Sequence, residues 1–154
     1  MAIRKIVLED DNVLRKKSKK VTDYNENLHV LLDDMKETMI AADGIGIAAI
    51  QVGVLKRAII INVNNIYLEM INPEIEYEKE TQICQEGCLS IPNKTGYVKR
   101  PKVLCVNAYD RHGEPYSIKA TGMLAVVISH EIDHLEGVLF TDKVLNDDEI
   151  EDYL

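Results

Sequence analysis

The chain has 154 residues, 46% hydrophobic and 29% charged, with a net charge of −8. That length suits one domain with a sizeable core, expected over residues 1–154. The acidic balance argues against a DNA or RNA binder that relies on a broad basic face.

In chain order, the stretch MAIRKIVLED has no long apolar run, so neither a signal peptide nor a membrane span is expected. The basic run RKKSKK at 15–20 reads as a solvated loop, with contact to an RNA-rich partner as the alternative. Over 25–42, Leu28, Leu31, Leu32, Met35 and Met39 recur at helical spacing, with Asp33, Asp34, Lys36 and Glu37 on the other face. Gly44 stands where a helix-terminating glycine is expected. Residues 57–63 and 66–71 read as strands joined at Asn64-Asn65, since asparagine tolerates positive φ. A second hairpin is expected from 102–110 and 115–121 around RHGE. A second helix follows over about 121–136, with Thr121 as N-cap, an apolar stripe of Leu124, Val127, Ile128 and Leu135, and Gly137 closing it. Helix, antiparallel strands, then helix is an α+β order rather than alternating βαβ.

Within the second helix, ISHEIDHLEGVLF at 128–140 contains H-E-x-x-H. Residues four apart share a helix face, so His130 and His134 can hold one metal ion, with Glu131 placed to handle a proton of activated water. A hydrolytic site needs a third protein ligand and an open position. Metzincin proteases supply a histidine where this chain has Phe140, and phenylalanine cannot ligate. A thermolysin-like glutamate would have to be Glu149 or Glu151, near the end of the sequence, where a ligand is poorly held. His29 and His112 are expected to face solvent. Cys84 and Cys105 sit in strand-like apolar surroundings, where cysteine serves as a small hydrophobe. Cys88, after a glycine in QEGCLSIPN, is the best remaining donor. The odd count of three cysteines, without a secretion signal, points to reduced thiols in the cytoplasm.

The stretch GIGIAAIQVG at 44–53 follows a helix, not a strand, which is the wrong context for a dinucleotide loop. It reads either as a bend packed close to another backbone or as the mount for Gln51, an amide donor for an oxyanion. The residues alone leave both open.

Taken together, GIGIAAIQ at 44–51, EGCLS at 86–90 and HEIDHL at 130–135 resemble the peptide deformylase family, and DNVLRKKSKKV at 11–21 also looks like its N-terminal segment. The resemblance implies a compact domain whose antiparallel strands wrap around the metal-bearing helix. It implies hydrolysis of the N-formyl group from the initiator methionine of nascent polypeptides, by attack of a metal-bound water on the formyl carbon. Cys88, His130 and His134 would ligate the ion, expected to be iron(II) with zinc, nickel or cobalt as alternatives. Glu131 would act as general base and then acid, and Gln51 with the Leu89 amide would bind the oxyanion. Backbone at Ile45, Gly46 and Gly87 would meet the extended substrate. Met123, Val126 and Val127 are candidate pocket walls, with ordinary helix core as the alternative. Glu86 and Arg100 fit a family ion pair that braces the cysteine loop, and Asp133 is a candidate for orienting a neighbouring element. Some relatives carry an arginine where this chain reads NKTGY at 93–97. Relatives that dock on the ribosome use a basic C-terminal helix, whereas NDDEIEDYL at 146–154 is acidic and would repel the RNA backbone. Two other readings compete: a small zinc endopeptidase, and a binding module with a purely structural metal that would need a fourth protein ligand.

Overall fold

The run Ala58–Val63 (AIIINV) lacks strict polar alternation, which suits a strand covered on both faces. In the computed structural model, which describes residues 2–154, it is the strand β2, between two helices. Ile59, Ile61 and Val63 face one cluster with Ala125, Val127, Ile128, Ile132 and Leu135. Ala58 and Ile60 face a second cluster with Leu28, Leu31, Leu32, Met35 and Met39. The period-two geometry of a strand sends neighbours to opposite faces, so one short segment serves both cores. Each fully buried isoleucine contributes roughly 1.5–3 kcal/mol.

Among the described residues the sheet has five antiparallel strands in sequence order. They are β1 (Gly46–Ala48), β2, β3 (Ile66–Cys88), β4 (Ile91–Tyr109) and β5 (Pro115–Thr121). Helix α1 (Glu26–Ala41) packs on β1 and β2, while α2 (Gly122–Leu135) packs on β1, β2, β4 and β5. Strands thus surround the H-E-x-x-H helix, as the α+β expectation required. Asn64 and Asn65 have φ of 50° and 67°, the left-handed pair that a two-residue hairpin needs.

Several local expectations change in detail. The two central strands are far longer than the segments 66–71 and 102–110 read from sequence, and they form one extended hairpin. Register shifts punctuate it, the last between Glu86 and Cys88, where Gly87 alone spans the interval occupied by 92–95 on β4. At the end of α1 the left-handed residue is Asp43, with φ 57°, not Gly44. The Gly44 amide then donates to Met39 O at 2.9 Å. Asp34, expected on the polar face, is buried and accepts from Ala2 N at 2.7 Å and Arg4 Nε at 2.9 Å. His29, expected in solvent, is half-buried, with Nε2 2.8 Å from Arg111 O and its ring edge-on to His112. Thr121 occupies the N-cap of α2 but makes no side-chain capping bond. The acidic tail folds as α3 (Asp147–Tyr153), capped by Asn146, which accepts from Glu149 N at 2.8 Å. The Tyr153 hydroxyl bonds to Thr81 O on β3.

Gly137, which closes α2, has φ 74°, and a Cβ there would run into the backbone carbonyl of Arg15. Gly137→Ala is therefore expected to destabilise the protein by more than about 2 kcal/mol, from left-handed strain plus the clash. Denaturant unfolding checks this, and an unchanged midpoint would show that the two segments separate freely.

Candidate metal centre and active site

Three elements converge at one end of the sheet. Helix α2 presents His130 and His134 from one face, with ring centroids 5.1 Å apart. The end of β3 brings Cys88 against them just before the turn at Leu89 and Ser90, and Cys88 Sγ lies 3.4 Å from His134 Nε2. One donor atom from each of Cys88, His130 and His134 lies within 4.8 Å of the others. A thiol and two imidazoles fit a tetrahedral ion with one position left for water.

The His130 ring is braced from behind. Glu86 Oε1 is 2.8 Å from His130 Nδ1, which leaves Nε2 as the nitrogen available to an ion. Glu86 is gripped twice by the buried Arg100, through Nε at 2.7 Å and Nη2 at 2.9 Å. The third nitrogen, Nη1, reaches Asp133 at 2.6 Å and Ser129 Oγ at 3.3 Å. Phe140, at the position where a metzincin has its histidine, is buried and stacks on the His130 ring at a centroid distance of 6.2 Å. It packs against this imidazole and offers no donor atom of its own.

Burial opposes charge on Glu86, but its bonds to Arg100 and His130 overcome this and bring its pKa down to about 2. Burial likewise opposes charge on His130, yet the Cys88 thiol and Glu86 carboxylate raise it to about 10. For His134 burial dominates, with His130 and Arg100 adding to it, and its pKa falls to about 3, so this ring is neutral. Burial pushes Glu131 up to about 7 against the pull of His130 and Arg100. A carboxyl poised near neutrality can both accept and return a proton. Its Oε1 is buried without a hydrogen-bond partner among the described residues, and His134 Nδ1 likewise has none.

Gln51 lies in a short 3-10 turn after β1. Its Oε1 accepts from Ala48 N at 2.9 Å, which fixes the amide so that Nε2 points at Ser90 Oγ (3.2 Å) and Cys88 Sγ (3.5 Å). A cleft of about 610 Å³ opens beside these groups. Ile45, Gly46, Gly87, Leu89, Met123, Val126 and Val127 all line it, together with Gln51, Glu86, Cys88, His130 and Glu131. His134 and Arg100 are not among the residues that line it. Sequence reasoning missed Ile6, Asp43, Cys84, Gln85 and Pro92 as lining residues, and Ser90 as a partner of Gln51. Ser90 lay within the EGCLS stretch, whereas Ile6 reaches the cleft from far along the chain with no local signal.

The fold and the site together define a metallohydrolase of the H-E-x-x-H type in which a cysteine joins the two histidines. Residues 3–149 match the polypeptide deformylase family. The peptide deformylase of Caldicellulosiruptor bescii is 51% identical over 154 residues, covering 98% of this chain and 93% of its own. That of Acetivibrio thermocellus is 52% identical, with 98% and 91% covered. Among solved structures, peptide deformylase from Thermotoga maritima superposes with a TM-score of 0.93 at 39% identity, covering 95% of this chain and 100% of that one. The enzyme from Synechococcus elongatus, in complex with actinonin, gives 0.89 at 42% identity, with 96% and 81% covered. The chain belongs to the peptide deformylase family and is an enzyme.

Gly46 leaves no room for a side chain: a Cβ there would lie 2.7 Å from Glu131 Oε2 and 2.9 Å from Val127 Cγ1. Gly46→Ala is expected to lower kcat at least about tenfold by displacing the Glu131 carboxylate, because a shift of about 1 Å in a catalytic group is costly. Steady-state kinetics on folded protein checks this, and wild-type kcat would show that the carboxylate is not held against β1.

Proposed function

We propose that this enzyme removes the formyl group from the N-terminal methionine of formyl-methionyl nascent polypeptides and releases formate. The observation that carries the reading is the grouping of Cys88, His130, His134 and the partly unbonded Glu131 carboxylate along one cleft. Cys88, His130 and His134 would hold one divalent ion, iron(II) in the native enzyme, with zinc, nickel and cobalt as substitutes that the same donors accept. When bound, the ion supplies Lewis acidity that activates water and polarises the formyl oxygen.

The chain's own residues do the rest. Strand β1 is an edge of the sheet, and the carbonyl of Ile45, the residue just before it, accepts from Asn62 N at 2.8 Å on β2. Alternation along the strand turns the Gly46 N–H and C=O the other way, toward the cleft, where an extended peptide adds as a further strand. Gly87, on the opposite wall, contributes backbone to the same task. Val126 and Val127 are buried beneath the cleft and Met123 is half-exposed at its rim, a set suited to an unbranched apolar side chain. Glu131 takes the proton of the attacking water and passes it to the leaving amine. The negative charge that develops on the formyl oxygen meets the Gln51 Nε2–H, whose amide is already held by Ala48 N, and the Leu89 N–H. Glu86 and Arg100 keep His130 turned toward the ion.

We read the chain as a single catalytic unit over 1–154 acting in the cytoplasm on peptides emerging from the ribosome. Among the described residues no helix is long and apolar enough to cross a membrane, and no DNA partner is proposed. Helix α3 carries Asp147, Asp148 and Glu149 in its first turn, which opposes ribosome docking through that helix.

The test is formate release from a formyl-methionyl peptide by protein purified without oxygen and loaded with iron(II) or nickel. Glu131→Gln is expected to abolish release while the ion stays bound, and Gln51→Leu to lower kcat about a hundred- to a thousandfold. Retained turnover in Glu131→Gln would remove Glu131 from the chemistry. Absence of release from the loaded wild-type protein would sink the substrate assignment.

A further inference from the structure

The charges behind the cleft do not end at Arg100. Asp133 Oδ2, which accepts from Arg100 Nη1, also lies 2.9 Å from Lys143 Nζ. The Lys143 side chain is 44% exposed and that of Asp133 20%, so the contacts Lys143–Asp133–Arg100–Glu86–His130 run from solvent to an imidazole of the site. Two carboxylates and two fixed cations balance along this line.

Lys143 is held in position by its neighbours in sequence. Asp142 makes two bonds to Arg15, at 2.5 and 3.0 Å. Val144 forms an antiparallel bridge with Val98, and Leu145 N donates to Tyr97 O at 2.9 Å. Val144 also fills the space above Gly96, where a Cβ would lie 2.7 and 2.9 Å from its methyl carbons. Gly96 is the residue paired with Glu86 across β3 and β4. The strap 142–145 therefore meets the line of charges through Lys143 at Asp133, and packs on Gly96, the strand partner of Glu86.

We propose that Lys143 is a positioning residue for His130. It neutralises Asp133, so that Arg100 keeps both of its bonds to Glu86 and Glu86 keeps His130 turned with Nε2 toward the cleft. Without that cation, Asp133 competes harder for Arg100, and the hold on Glu86, and through it on the imidazole, loosens. Partners behind a metal-bound histidine fix its tautomer and its orientation. The inference rests on His130 being a metal ligand, as proposed above.

The test uses the full chain loaded with cobalt(II), whose visible spectrum reports ligand geometry. Lys143→Met is expected to shift the cobalt d–d bands, to speed cobalt loss to a chelator about three- to tenfold, and to lower kcat with KM unchanged. The effect is smaller than the ten- to hundredfold typical of a direct partner, because Lys143 is one step further out and partly solvated. Lys143→Arg should restore the wild-type spectrum and loss rate. In an Asp133→Asn background, Lys143→Met should have no further effect on either. A wild-type spectrum and loss rate in Lys143→Met, whatever its melting temperature, would overturn the proposal, as would an undiminished effect in the Asp133→Asn background. If the wild-type protein takes up cobalt without a thiolate charge-transfer band, the metal-centre reading falls and this inference with it. A normal wild-type band with an unresponsive Lys143→Met removes the inference alone.

Discussion

Arg100 carries a permanent positive charge into the interior, where it is 2% exposed, and the layout of the site follows from how that charge is satisfied. A guanidinium offers its donors in a rigid planar fork, so its partners must arrive from fixed directions. Here they come from two elements: Glu86 on β3, and Ser129 and Asp133 on α2. Removing one partner of such a buried pair costs about 3–5 kcal/mol, because the remaining charge is left without compensation. That penalty locks the helix carrying both histidines to the strand that ends in Cys88. The same Glu86 that neutralises Arg100 also contacts His130 Nδ1, so one carboxylate serves both the buried charge and the imidazole.

Around this lock the sheet supplies shape. β2 is buried on both faces and fixes α1 and α2 on opposite sides, which leaves β1 as an edge beside α2. Close approach is possible only because Gly46 has no side chain, and Glu131 then lies directly against the strand to which a peptide would add. At the other wall the register shift around Gly87 breaks the β3–β4 pairing and opens the rim. An edge strand, a carboxyl shifted by burial and a missing Cβ meet along this wall of the cleft.

Much of this was legible in the sequence where the signal is local. The five apolar positions of α1, the Asn64-Asn65 turn and the shared face of His130 and His134 follow from periodicity and φ preference within a few residues. Cys88 was reachable because Phe140 removes the alternative ligand. Other features depend on distant partners and leave no local trace. Asp34 looks like a surface residue until Ala2 and Arg4 cross the helix. The full length of β3 and β4 was hidden because Pro73, Pro92, Gly96 and Pro101 interrupt the strand pattern and much of the hairpin is solvated. Phe140 reads as ordinary core, and only the fold stacks it on His130. Lys143 lies in a segment with no periodicity, so its contact with Asp133 is visible only in three dimensions.

The central claim is that a helix and the end of a hairpin strand, fastened by Arg100, hold one ion through Cys88, His130 and His134. X-ray absorption at the metal edge of protein loaded under anaerobic conditions tests it most directly. The account predicts one ion per chain with one sulfur and two imidazole nitrogens among its neighbours, and loss of the sulfur in Cys88→Ser. A first shell without sulfur in the wild-type protein, or one unchanged by Cys88→Ser, would contradict it.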